Sequence, residues 1–284
     1  MYQLLALAAA VAFALGSVLQ QKGGLEVDAG GNDPRFLVQI LSHPIWLAGG
    51  GCQMAGWILQ AVALDKGPLI VVQSLTTLSL VIALPFGRRL TDQVVTRRVW
   101  AGAAAATAGI IIFLSAGSPS GGTSNTSASA WWRACLSVLV IVVALGLVGF
   151  RRDGAVRALM LGSAAGVGFA LQASVTKVFV TLVGHGLSTI ISSWTTYVLI
   201  ASAVVGFVLQ QAALKTGILA PAVASSNAVT LAASVVLGIT IFNETIAGDH
   251  LAPAVIGLAI TLAGIALLAG AQAPPRPVPA VGGG

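Results

Sequence analysis

Glutamine side chains stand within stretches of this chain that are otherwise almost wholly apolar, and they recur at matched positions. The run WILQAVALDKG from Trp57 returns as FVLQQAALKTG from Phe207, so Gln60 answers to Gln210. Gln20 answers to Gln172, because Gly16, Leu19 and Gln20 match Gly168, Leu171 and Gln172. A carboxamide carries both donors and an acceptor, and in an apolar medium it must pair, line a cavity or touch a solute. The chemistry open to Gln20, Gln60, Gln172 and Gln210 is therefore reversible binding of a polar solute. The competing use is interhelical hydrogen bonding that serves packing, and it calls for the same side chains. Gln21, Gln53, Gln73 and Gln211 add further amides at various depths.

Hydroxyls and acids extend the candidate set. Ser225, Ser226 and Asn227 are adjacent, and three neighbouring polar residues cannot all hide on one packed seam. Ser188, Ser192 and Thr195 or Thr196 share a face at spacings of three and four, as a hydrophilic wall would; hydroxyls also bond the carbonyls of their own helix. The acids expected on the outer side are Asp65, Glu244 and Asp249, the last beside His250. Asp65 and Glu244 end expected helices two and eight. They read as a cation-attracting vestibule, with Glu244 as a protonatable coupling group, or as solvated helix-end charges, which suits an interfacial position. Lys177 and His185 read as solvated in the same way.

No G-x-S-x-G, Walker A, H-E-x-x-H or C-x-x-C pattern occurs, and no paired carboxylates suit acid–base work. The reading is a protein that is not an enzyme and needs no cofactor. ATP-driven transport would need a partner subunit. Cys52 and Cys135 fall inside spans, which argues against a disulfide or metal framework.

The elements that must hold these residues follow from composition. With 57% hydrophobic and 8% charged residues and a mean hydropathy of +0.96, the chain cannot cover itself with a water-facing surface. Windows free of Asp, Glu, Lys and Arg, most of them long enough to span about 30 Å of hydrocarbon as helices of about 20 residues, predict nine transmembrane helices. They lack the alternation of a β-barrel. Pro44, Pro68, Pro221 and Pro253 fall at or near the first turn of a span, where a missing N–H does no harm. The fold class is all-α and polytopic. Residues 2–21 lack a basic n-region and read as an uncleaved helix.

Charge and parity set the topology. Alternating loops put 11 of the 14 basic residues on one side, so the positive-inside rule places the N-terminus outside and the C-terminus in the cytoplasm, in the inner membrane. The net charge of +6 is then an orientation signal; no basic run interleaved with aromatics suggests a nucleic-acid groove. Gly102, Ala108, Gly109 and Ile110 match Gly257, Ala263, Gly264 and Ile265, which pairs helices four and nine. One transporter domain over residues 1–271 thus holds repeat one at 2–117, an unpaired helix at 131–149 and repeat two at 155–271, with a disordered tail at 272–284. The odd linker inverts the second repeat, as in carriers with a midplane site. The partners expected are the lipid bilayer and a small-molecule or cation substrate, with a monomer allowed.

The run ALDKGPLIVVQSLTTLSLVIALPFGRRLT followed by GAAAATAGIIIFL resembles the EamA repeat of the drug/metabolite transporter superfamily. So does ALKTGILAPAVASSNAVTLAASVVLGITIFNET followed by GLAITLAGIALL. The nine-helix count and the opening ALGSVLQQKGGL look more like the NIPA branch of magnesium transporters. The resemblance covers roughly residues 2–270 and implies alternating-access transport of a metabolite or Mg²⁺. Two departures stand out. Repeat one has Gly87, Arg88 and Arg89 where the family pattern carries an acid and repeat two has Glu244, and Gly56 precedes Trp57 where the NIPA pattern has an acid. Mg²⁺ favours carboxylate oxygens, so a neutral or zwitterionic metabolite fits the amide-rich interior as well. A membrane scaffold or accessory subunit, with the polar pairs used only for packing, is the alternative.

Overall fold

The computed structural model describes residues 1–26, 42–91, 96–123, 126–214, 216, 219–246 and 251–271. Among them, nine helices are long and apolar enough to cross a membrane. They are α1 (Tyr2–Leu25), α2 (Pro44–Lys66), α3 (Leu69–Leu90), α4 (Arg97–Gly117), α5 (Ala128–Phe150), α6 (Gly154–Leu182), α7 (Trp194–Leu214), α8 (Leu219–Phe242) and α9 (Leu251–Ala271). The all-α polytopic architecture is as expected. Extended pairing among the described residues is a single short rung, in which β1 (Ser120–Gly121) runs antiparallel to β2 (Glu244–Thr245). Asp249, His250 and the tail at 272–284 lie outside the described residues.

Local chemistry sets the helix ends. Pro44 opens α2 and Pro68 precedes α3, each in the place where a missing donor costs nothing. The Val99 and Ala130 N–H groups donate to the Thr96 and Ser127 hydroxyls, which cap α4 and α5. Two boundaries follow from how polar side chains are satisfied. Helix six does not stop near Lys177 but continues to Leu182, because that lysine is neutralised inside the protein. The hydroxyl-rich start of helix seven is a separate short helix, Leu187–Ser192, and α7 begins only at Trp194.

Small residues govern the packing. In a bilayer, close backbone approach does the work that hydrophobic exclusion does in water. A Cβ at Gly16 would lie 2.9 Å from the Gly49 carbonyl oxygen, and one at Gly166 would lie 2.5 Å from that of Ser226. These glycines seat α1 against α2 and α6 against α8. The Gly162–Gly166 step therefore packs helices, as its spacing suggests. α1 contacts α2 and α3, and α6 contacts α7 and α8 in the same pattern.

The relation between the halves is written in the seam between α4 and α9. Gly102 faces Gly264, and Gly109 faces Gly257, with a Cβ at the first of each pair falling 2.9 and 2.6 Å from the other's carbonyl oxygen. In the duplication Gly102 corresponds to Gly257 and Gly109 to Gly264. Each glycine thus meets the counterpart of its seam-mate, the isologous contact that a two-fold axis generates. Helices that cross antiparallel about such an axis belong to inverted repeats. The unpaired α5 packs along α6 and leaves Leu136, Leu139, Val140, Ile141 and Leu147 exposed, an apolar face suited to lipid.

Candidate functional site

A cavity of about 390 Å³ lies between the halves. It is walled by α1, α2 and α3 of the first repeat and by α6, α7 and α8 of the second. Gln60 and Gln53 reach it from α2, Gln73 from α3, Gln172 from α6, Gln210 from α7 and Asn227 from α8. Phe13, Trp57 and Phe169 supply aromatic surface. Among the described residues, no Asp, Glu, Lys, Arg or His belongs to the lining.

Part of this polar wall is tied down internally. The Gln60 Nε2 donates to Gln73 Oε1 at 3.3 Å, and the Thr76 hydroxyl donates to the same oxygen at 3.1 Å. Gln53 Nε2 donates to the Ser17 hydroxyl at 3.2 Å, and Asn227 Nδ2 to the Val223 carbonyl at 2.8 Å. Among the described residues the carboxamides of Gln172 and Gln210 make no hydrogen bond, and Gln210 Oε1 is buried without a donor. Leaving a buried acceptor unpaired costs about 1–3 kcal/mol, so the second repeat presents unspent hydrogen-bonding capacity to the cavity.

α3 is divided where it passes the cavity. It consists of Leu69–Thr77 and Ser79–Leu90, joined at Leu78. The Leu78 N–H donates to the Leu75 carbonyl at 3.1 Å, an i to i−3 bond, and the Ile82 N–H donates to Leu78. Thr76, Thr77 and Ser79 flank this joint and line the cavity. The Thr77 hydroxyl donates to the Gln73 carbonyl at 2.8 Å. Neither proline nor glycine marks the spot in sequence.

The structure brings five of the sequence candidates together here: Gln60, Gln172, Gln210, Ser226 and Asn227. Gln20 is absent from the lining. Its side chain lies over α2, with Cγ 2.8 Å from where a Cβ of Gly49 would sit; the matching positions in the other repeat are Leu199 and Ile200, not glycines. Ser225 is buried against α6, its hydroxyl donating to the Ala222 carbonyl. Ser192 is exposed in the short helix before α7 and donates to the Thr189 carbonyl. The Thr196 hydroxyl likewise donates to the Ile190 carbonyl, so this hydroxyl run bonds its own backbone.

Asp65 lies at the end of α2, exposed, 3.9 Å from Lys66. Glu244 is different. The expectation of a solvated helix-end charge or vestibule group is overturned, for Glu244 is 1% exposed. Its carboxylate accepts from the Leu69 and Ile70 N–H groups at the start of α3 and from Lys177 Nζ at 2.8 Å. Lys177 is also buried, not solvated, and donates to the Gly67 carbonyl at 2.9 Å. Its ammonium stands 4.9 Å from the Phe242 ring centroid. A carboxylate at a helix N-terminus completes backbone donors that the helix cannot satisfy, and here it holds the end of α8, the start of α3 and the C-terminal part of α6 in one knot.

That knot adjoins the cavity. Thr176 lines it and Lys177 is the next residue. Around it Leu64, Leu69, Val72, Ile241 and Phe242 are buried in one apolar cluster. Sequence reasoning listed Gln53 and Gln73 only as further amides and passed over Phe13, Ser17, Trp57 and Thr176. Lone opposite charges in apolar text, Lys177 and Glu244, were the available signal for the knot. Among the described residues no cluster of three or more His, Cys, Asp or Glu is placed to hold a metal ion.

Comparison with known proteins gives one informative match. An uncharacterized protein of Corynebacterium glutamicum is 31% identical over 221 residues, 75% of each chain. No protein-family model matches the chain, and neither does any solved structure.

Proposed function

The chain belongs to the family that includes the uncharacterized Corynebacterium glutamicum protein, and we propose that it is a carrier moving a small solute across the cytoplasmic membrane by alternating access between its inverted repeats. The observation that carries this reading is the polar cavity built from both repeats and lined by a joint in α3. Polar side chains in a membrane interior are expensive and are kept where they bind something. A site at the repeat interface beside an interrupted helix is the arrangement of secondary carriers.

Closure at one end supports the same reading. The Lys177–Glu244 knot seals the end that bears Gly67 and β2, which loop charges assign to the outside, with the C-terminus in the cytoplasm. The resemblance of residues 2–270 to EamA repeats and to the NIPA branch is consistent with transport. A lining without carboxylates weighs against Mg²⁺ as cargo, since that ion is usually bound through one or two of them.

The test is flux through the purified protein in liposomes, run against Mg²⁺ and a metabolite panel with and without a pH gradient. Replacing Gln60 and Gln210 together by alanine abolishes uptake while the protein still elutes as a folded species. Wild-type flux in that variant removes both glutamines from the site. A protein that moves nothing, with its native fold verified, is a scaffold or accessory subunit.

A further inference from the structure

We infer that the solute is uncharged and multiply hydroxylated, a sugar or polyol of about monosaccharide size. The inference rests on the carrier reading and names the cargo of the same cavity. Its first ground is that no ionisable side chain among the described residues belongs to the lining. A charged solute leaving water for this interior would find no countercharge, and uncompensated charge in an apolar surround is the costliest kind of burial. The nearest buried charges, Lys177 and Glu244, are committed to each other and to backbone groups of α3.

The second ground is the kind of polar group present. Six carboxamides converge: Gln53, Gln60, Gln73, Gln172, Gln210 and Asn227. Each presents donors and an acceptor in one plane. An anion uses only donors and a cation only acceptors, leaving half of this inventory stranded. A hydroxyl both donates and accepts, so several hydroxyls on one small frame use both halves.

The third ground is which groups are spent. Gln53, Gln60 and Asn227 each donate to a protein acceptor, which fixes their orientation and leaves their side-chain oxygens without a donor among the described residues. Gln172 and Gln210 are uncommitted, and Gln210 Oε1 is buried without a donor. A solute hydroxyl supplies that donor. The rings of Phe13, Trp57 and Phe169 give apolar surface for the C–H groups that lie between hydroxyls. A volume near 390 Å³ lies in the range of small-molecule pockets, about 300–1,000 Å³.

The experiment loads the full-length protein into liposomes and follows osmotic reswelling in glucose, mannose, myo-inositol and mannitol. In parallel it follows uptake of Mg²⁺, glucose 6-phosphate and glycine. At least one uncharged probe is expected to enter at least about ten-fold faster than through protein-free vesicles. Gln172→Leu/Gln210→Leu, which keeps shape and removes the unspent groups, should lower that rate by about ten-fold or more, the equivalent of one well-made hydrogen bond. Gln210→Glu, which introduces a charge at the same place, should lower it as well. Entry of Mg²⁺, the phosphate or glycine without entry of any polyol overturns the assignment of cargo and leaves the carrier standing. Entry of none of the probes through a natively folded protein overturns both.

Discussion

Removing the charge from Glu244 while keeping its shape, as in Glu244→Gln, should destabilise the protein more than removing its partner. In the native protein the carboxylate accepts three hydrogen bonds, from Leu69, Ile70 and Lys177, at 1% exposure. Glu244→Gln leaves Lys177 as a buried cation held by neutral oxygens, and breaking a buried pair from one side costs about 3–5 kcal/mol. Lys177→Met strands the opposite charge in a better place, since the carboxylate keeps both α3 N–H groups and the helix dipole; its cost should be nearer 2 kcal/mol, the worth of one charged hydrogen bond. In the double variant no charge remains, so the loss should fall short of the sum by about 2 kcal/mol or more. The assay is unfolding of the purified protein in detergent for wild type, both singles and the double. Two single variants that each cost less than about 1 kcal/mol and combine additively would refute the reasoning, since an exposed pair behaves in that way.

Four further outcomes follow from the same geometry. Gly109→Leu or Gly257→Leu should abolish folded yield, because a Cβ at either glycine already meets the opposite backbone at 2.5 Å, whereas Gly51→Ala, with nothing within 4 Å, should elute as wild type by fluorescence-detected size exclusion. Ser192→Ala should leave flux unchanged in reconstituted vesicles, the residue being exposed and away from the cavity. Trp57 lines the cavity, so in a variant with Trp57 as the sole tryptophan a transported solute should change its emission with a saturable dependence. A fluorescent protein fused to the C-terminus should glow in intact cells; a dark fusion, active only with a periplasmic reporter, would reverse the assigned orientation.

The spans were legible because hydrocarbon imposes a long, uniform demand that a single sequence displays openly. Gln60, Gln210, Ser226 and Asn227 were legible for the converse reason, as polar groups where polarity is costly. Symmetry misled at Gln20. Its counterpart Gln172 reaches the cavity while Gln20 folds over Gly49 and Gly50, a difference fixed by what the neighbouring helix carries and not by the matched motif. Lys177 and Glu244 were misread because each is judged alone in a sequence, 67 residues from the other. A charge that looks like the end of a span is, once paired, compatible with a position inside it, and α6 runs past Lys177 for that reason. The joint at Leu78 left no trace, since it rests on hydroxyl and carboxamide bonds among Gln73, Thr76 and Thr77 and not on a residue that breaks helices.

The glycine seam between α4 and α9 has an ancestral meaning. A surface on which each residue meets the counterpart of its own neighbour is what a protein half this length would use to bind a second copy of itself, antiparallel in the same bilayer. Such an ancestor would have had to insert both ways round. Fusion through α5 would have ended that ambiguity by fixing one half against the other, and the basic residues of alternate loops would then set which way was kept. The two halves should then still recognise each other when severed: separate chains ending and beginning on either side of α5, made in one cell, should reassemble through Gly102, Gly109, Gly257 and Gly264.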